Sequence, residues 1–396
     1  MFNKKTIENI NVENKRVLVR VDYNVPLDSS GNVTDNTRIA LSLPTINYLI
    51  NKNSKIILIS HLGRPKDVVE DKYRLTPAAK ELERLIGRPV KKFDETYSEE
   101  IKKYIDNEIK PGDIVMLENL RFNPGEKKND TEFAKKLASL AEVYVNDAFG
   151  AAHRAHASIS GIAQFLPAVS GYLMKREVES LGTLLENPAR PFIAVLGGSK
   201  VSDKILVIQN LLGKVNALIL GGGMTYTFLK AKGFSVGKSI CEDDQIHYAK
   251  DMMDLAAKNN VKLMLPVDVI VSPEYAENAE SKNVEIEDIP ANWEGMGIGE
   301  KTTEMYKQEI SKAKTIFWNG PMGVFEFDKF GKSTREIAEA IANSGAVTVV
   351  GGGDTIAAIK KYGLSGKFTH ISSGGGASME FLEGKILPGI AVLLDL

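Results

Sequence analysis

The side chains of the first half best suited to chemistry follow short apolar runs. They are Asp22 and Asn24 in RVDYN, Arg38 after the turn GNVTDNTR, His61 and Arg64 in SHLGRP, Arg121 in ENLRF and Arg154 in AAHRAHAS. Arginine presents a fixed fork of donors that reads carboxylate and phosphate. Several such charges at one edge repel one another unless a ligand with several negative charges satisfies them. The pattern points to a small acidic ligand gripped by side chains. For any single arginine, a surface ion pair is the ordinary alternative. His153 and His156 are spaced i,i+3 with no cysteine nearby, which is a weak metal signature; hydrogen bonds to an oxyanion suit them better.

The second half offers glycine instead. Ten of the twelve arginines precede residue 188, whereas twenty-five of the thirty-four glycines follow it. Gly-Gly-Gly occurs at 221–223, 351–353 and 374–376. Glycine lets backbone N–H groups come close to a phosphate. In GGSKVSDK, a helix starting near Val201 would put Lys200 and Lys204 four apart on one face, aimed at a phosphate chain. In GGGDT, Asp354 is either a helix N-cap or an oxygen ligand for phosphate-bound Mg²⁺. In SSGGGASME, Gly374, Gly375 and Gly376 lead into a helix with no carboxylate in front, a place for an anion. Glu326 in FWNGPMGVFE could accept from ribose hydroxyls. Gly237-Lys238-Ser239 and Gly331-Lys332-Ser333 resemble the end of a P-loop. Lys232 and Glu326 stand where its first glycine belongs, so neither matches. No GxGxxG occurs either, which argues against an NAD-dependent oxidoreductase.

These residues need a scaffold that gathers strand ends. Apolar, β-branched runs lie at 16–22, 55–61, 113–119, 143–147, 192–198, 217–223, 262–271, 315–320, 346–353 and 368–374. Such runs read as buried parallel strands. Amphipathic stretches at 76–86, 131–142, 203–212, 247–259, 303–312 and 333–343 read as helices. Alternation of the two predicts α/β architecture with doubly wound parallel sheets. Ligands of such sheets bind beyond the carboxyl ends of the strands, where the distinctive residues fall.

A chain of 396 residues exceeds one core and by length alone predicts two domains or three. The boundary is expected at the helical stretch 173–187, which stops before Pro188. Net charge is −1, so neither nucleic acid nor an anionic membrane is an expected partner. Cys241 is the single cysteine, which excludes a disulfide framework and a thiolate metal cluster and fits a reducing cytoplasm. Neither a signal-peptide pattern nor an apolar run of membrane-spanning length is present.

Nine segments in order resemble the phosphoglycerate kinase family: RVDYNVP, HLGRP, ENLRFNPGEKKND, NDAFGAAHRAHAS, GGSKVSDK, LGGGM, FWNGPMGVFE, VGGGDT and SSGGGASME. The resemblance implies two Rossmann-like domains joined by a connecting helix and hinge. Residues 1–172 would bind 3-phosphoglycerate or 1,3-bisphosphoglycerate, and 188–384 would bind ADP or ATP with Mg²⁺. Residues 385–396 would pack back on the first domain. By motif, Asp22, Tyr23, Asn24, Arg38, His61, Leu62, Gly63, Arg64, Arg121 and Arg154 would hold the acid. Lys204, Gly222, Gly295, Glu326, Gly352, Gly353, Asp354 and Thr355 would hold the nucleotide, with Asp354 near Mg²⁺. Arg38, Lys200 and Gly374–Gly376 would surround the moving phosphoryl group. The family pattern also implies a cytoplasmic monomer that transfers the phosphoryl group directly after hinge closure, in glycolysis. Gly295-Met296-Gly297 departs from the usual Gly-Leu-Asp of the family. Ser199, Ala151 and Ser373 are smaller departures.

Overall fold

A computed structural model describes residues 3–396. The chain divides into two compact units, residues 3–179 with 386–396, and residues 180–385. The helix Tyr172–Glu186 occupies the predicted connecting stretch, and the division falls within it.

The first unit contains β1 (Arg16–Arg20), β2 (Lys55–Ile59), β3 (Val90–Lys92), β4 (Ile114–Met116), β5 (Val143–Asn146) and β6 (Ala168–Ser170). They form one sheet in the order β3-β4-β2-β1-β5-β6, and every pairing is parallel. Valine, isoleucine and leucine fill Val17–Val19 of β1 and Ile56–Ile59 of β2, as expected of parallel strands buried on both faces. Local signals set the helix ends. The helix Thr76–Ile86 has Pro77 in its first turn and ends at Gly87 in the left-handed region. Asp130 caps Thr131–Ala138 by accepting from Phe133 N at 2.8 Å.

The second unit contains β7 (Phe192–Leu196), β8 (Ala217–Leu220), β9 (Lys262–Met264), β10 (Asp268–Ser272), β11 (Lys282–Glu285), β12 (Glu294–Ile298), β13 (Thr315–Asn319), β14 (Val347–Gly351) and β15 (His370–Ile371). Six of them form an all-parallel sheet in the order β15-β14-β13-β7-β8-β9. The predicted doubly wound sheets are therefore present in both units. The run 262–271 is not one strand, however. Pro266 cannot donate to a ladder and splits it into β9 and β10. β10 then joins a small antiparallel sheet, β11-β10-β12, which the sequence reading lacked.

In each large sheet, chain order reverses direction beside one strand. β1 has β2 on one side and β5 on the other; β7 has β8 and β13. Open α/β sheets place ligands in the crevice at such a switch point. No helix among the described residues is long and apolar enough to cross a membrane.

Candidate active site

The carboxyl ends of β1, β2 and β4 bring the first set of side chains together. Arg38, in the first turn of the helix Thr37–Asn51, puts Nη1 2.9 Å from Asp22 Oδ2. Asn24 Oδ1 accepts from Gly63 N at 2.8 Å, and Arg121 Nη1 donates to Gly63 O at 2.7 Å. The loop after β2 is thus held from both sides. Arg64 and Arg154 are exposed. Arg121 is drawn down to about 10, first by burial and then by the charges of Arg20 and Arg154. Three arginines close enough to repel one another make an edge that favours an anion.

His61 is buried, and Arg20 Nη2 lies 3.0 Å from its Nδ1. Burial, then the charges of Arg20, Arg121 and Arg38, hold its pKa well below the usual imidazole value. Behind it, Arg20 Nε donates to Ser158 Oγ at 3.0 Å. Ser158 Oγ donates to Glu126 Oε1 at 2.6 Å. Glu126 is fully buried, which opposes its charge, but His156, Arg20 and Ser158 outweigh that and lower its pKa.

Tyr23 and Leu62 are core residues. The Tyr23 hydroxyl bonds Ser42 Oγ at 2.8 Å, so any ligand contact from Tyr23 must come from its backbone. Arg74, outside any of these motifs, is tied to the buried carboxylate of Glu118 at 3.2 Å. Arg20, Glu126 and Ser158 were absent from the predicted site. The available signal was an arginine inside the otherwise apolar run RVLVRV.

The second set lies past β7, β8, β13 and β14. A cavity of about 340 Å³ is lined by Gly222, Tyr226, Gly295, Pro321, Glu326 and Asp354, among others. Gly295 is required by close approach, because a Cβ there would overlap the Tyr226 hydroxyl. Gly297 is not so constrained. Its Cβ would meet Ser333 Oγ at 3.4 Å, an ordinary contact, so the missing family aspartate leaves room rather than strain.

The expected pairing of Lys200 and Lys204 on one helical face is overturned. The helix begins only at Ile205, with Lys204 as its N-cap and Lys200 exposed in the preceding loop. Lys204 Nζ donates instead to Asn319 Oδ1, and burial lowers its pKa. Asp354 is not an N-cap either. Gly352 caps the helix Gly353–Lys361, and Asp354 is exposed in its first turn. Thr355 Oγ1 accepts from Gly320 N at 2.6 Å. Gly376 opens the seven-residue helix Gly376–Leu382, while Gly374 N is already tied to Ser372 Oγ at 3.2 Å.

No group of three or more potential metal-ligating His, Cys, Asp or Glu side chains occurs among the described residues. The donor set past β14, with Asp354 as its carboxylate, suits an Mg²⁺ ion that keeps its waters and is carried by phosphates. The buried Nδ2 of Asn319, beside Gly352 at the end of β14, has no partner and is an unmet donor.

The family model described as phosphoglycerate kinase matches residues 7–385. The chain belongs to the phosphoglycerate kinase family. It is similar to the phosphoglycerate kinase of Moorella thermoacetica, 52% identical over 392 residues, and to that of Dictyoglomus turgidum, 55% identical over 396, with 99% of each chain covered. Among solved structures, the phosphoglycerate kinase from Coxiella burnetii superposes with a TM-score of 0.90 at 43% identity. That from Pyrococcus horikoshii OT3 gives 0.84 at 34%, and both cover 98% of either chain. Membership makes the protein a transferase of glycolysis, a kinase whose phosphoryl acceptor is a carboxyl group.

Proposed function

We propose that the carboxyl edge of the first sheet binds 3-phosphoglycerate or 1,3-bisphosphoglycerate, and that of the second unit's large sheet binds MgADP or MgATP. The observation that supports the first assignment is the gathering of Arg38, Arg64, Arg121 and Arg154 at one sheet edge, where burial, and then the charges of Arg20 and Arg154, bring Arg121 down to about 10. Glu126 and Asp22 offset part of that positive charge, and a ligand with several negative charges offsets the rest. Asp22, Asn24, His61, Gly63, Arg64, Arg121 and Arg154 hold the acid, with backbone contributions from Tyr23 and Leu62. Lys204, Gly222, Gly295, Glu326, Gly352, Gly353, Asp354 and Thr355 hold the nucleotide. Arg38, Lys200 and the Gly374–Gly376 loop meet the transferring group.

The chemistry needs no general base, since an acyl phosphate is a good donor and a carboxylate is already a nucleophile. Positioning and charge stabilisation do the catalysis. Asp354 would hold Mg²⁺, which when bound neutralises charge on the phosphate oxygens. Arg38 and Lys200 place cationic donors where charge spreads during in-line transfer. Hinge closure excludes water, which would otherwise hydrolyse the acyl phosphate. The protein works as a cytoplasmic monomer on small molecules, without a nucleic-acid partner.

A coupled assay with 3-phosphoglycerate and MgATP tests this reading, with GTP as the control. Turnover that requires both the acid and Mg²⁺ supports it. Turnover without 3-phosphoglycerate, or with another carboxylic acid at equal efficiency, sinks it.

A further inference from the structure

We propose that Glu126, Ser158 and Arg20 form a positioning relay that presents His61 to the acid substrate as an Nε2–H donor. The proposal rests on assigning the acid to this sheet edge. Arg20 Nη2 faces His61 Nδ1 at 3.0 Å. A guanidinium has donors only and does not lose its proton, so Nδ1 must be the acceptor. The ring then carries its one proton on Nε2. In a neutral histidine the choice of tautomer is thus made by Arg20 alone.

Arg20 is itself held on every side. It is 1% exposed at the end of β1. Nε donates to Ser158 Oγ, and Nη1 to the carbonyl of Val21. Ser158 can accept from Arg20 because its own proton goes to Glu126 Oε1, while its backbone N donates to Glu126 Oε2 at 3.0 Å. Glu126 is fully buried and supplies the negative charge that keeps Arg20 in the interior. The result is a directed chain running Arg20 to Ser158 to Glu126, with the other face of the fork on His61.

The charged and titratable groups acting on His61 are Arg20, Arg121, Arg38 and His156, all cationic or capable of becoming so. A second proton on the ring would set Nδ1–H against the Arg20 N–H. The relay therefore gives the substrate a neutral donor of fixed direction at an edge already crowded with positive charge. His61 contributes a hydrogen bond and no further repulsion.

The test uses the full chain labelled with ¹⁵N-histidine. Five histidines are present, and His61→Gln identifies the signal that disappears. A pyridine-like Nδ1 and a pyrrole-like Nε2 across roughly pH 6 to 8 are expected. An imidazolium pattern, or a proton on Nδ1, overturns the proposal without any substitution in the relay. Ser158→Ala should mix the two tautomers and raise KM for 3-phosphoglycerate about tenfold, the size of one net hydrogen bond, with KM for MgATP unchanged. Arg20→Lys keeps the charge but lacks the fork, and should show the same change. An unaltered His61 spectrum in both variants, or equal rises in both KM values, refutes the relay. Calorimetry of wild type with 3-phosphoglycerate tests the underlying assignment separately: no binding there rejects the acid site, whatever the spectrum shows.

Discussion

Arg38 Nη1 and Asp22 Oδ2 stand 2.9 Å apart, joining the first turn of the helix Thr37–Asn51 to the carboxyl end of β1. Asp22 is buried and Arg38 is partly open, so one N–H of the fork is spent on orientation while the guanidinium edge still reaches solvent. A cation held this way is preorganised for charge that develops during transfer. Arg38→Ala should lower kcat about 100-fold or more, the scale of losing one preorganised donor. MgADP affinity by calorimetry should change less than about twofold. Arg38→Lys should recover only part of the loss, because an ammonium cannot bond Asp22 and a phosphoryl oxygen in one plane. Near-normal turnover of Arg38→Ala would remove it from the catalytic set.

That pair was readable as two candidates but not as a contact. Asp22 and Arg38 each announce themselves by following an apolar run or a glycine turn. The central strands were legible for the same reason, since continuous runs such as Val17–Val19 and Ile56–Ile59 are buried on both faces. Val90–Lys92 and Ala168–Ser170 were not, because three-residue strands at the sheet edges carry no periodicity. β12 was hidden by its glycines, Gly295 and Gly297, which are poor strand formers tolerated where another chain segment approaches closely. Arg20 and Glu126 are 106 positions apart, as 126 less 20, and only the folded sheet brings them to Ser158 from both sides. Long-range pairings of this kind leave no local mark.

Gly352 has φ +92°, and a Cβ there would lie 2.8 Å from Asn319 Nδ2. Asn319 also accepts from Lys204, so displacing it disturbs a nucleotide-side lysine. Gly352→Ala combines strain of about 1–3 kcal/mol with that displacement. It should weaken MgADP binding about tenfold or more and leave the affinity for 3-phosphoglycerate intact. Calorimetry with each ligand separates the two. Equal weakening of both would mean that the damage is global unfolding and that Gly352 has no special place in the phosphate loop.

Asp147 makes stability depend on pH. It is fully buried after β5, where its Oδ1 accepts from Leu173 N at 2.9 Å and Met174 N at 3.1 Å, while Oδ2 has no partner. Burial is the main cause of a pKa raised to about 6, which the nearby Thr45 hydroxyl and the Met174 and Leu173 N–H groups oppose only in part. The folded state therefore binds this proton more tightly than the unfolded chain does. Stability from this group is fully present below the unfolded pKa of about 4 and is lost as pH rises through about 6. Asp147→Asn keeps the acceptor for the helix N-terminus and removes the ionisation. The variant should gain about 2 kcal/mol over wild type at pH 8, and the gain should shrink towards zero at pH 4. Urea unfolding at the two pH values measures the difference. A pH-independent gain or loss would mean that Asp147 does not titrate near 6.

The C-terminal segment closes the first unit. Leu394 N donates to Ala168 O at 2.9 Å, and Lys5 N donates to Leu394 O at 2.7 Å, so the tail and the N-terminal segment both lie along the edge beside β6. Gly389 N donates to Ala152 O at 2.8 Å, two positions before Arg154, and Gly389 O accepts from the buried Asn146 Nδ2 at 3.0 Å. Leu387 and Leu393 are buried against this unit. Removing 386–396 exposes two leucine sites worth about 1.5–3 kcal/mol each and strands the Asn146 amide at a further cost of about 1–3 kcal/mol. The truncated chain should lose about 4 kcal/mol or more in urea unfolding of the first unit. Because the Ala152 anchor goes with it, 3-phosphoglycerate affinity should fall as well, while MgADP affinity persists in the second unit. Asn146→Ala, which breaks one link and keeps the leucines, should cost less than half as much. If it costs as much as the truncation, the amide rather than the apolar seal is what binds the tail.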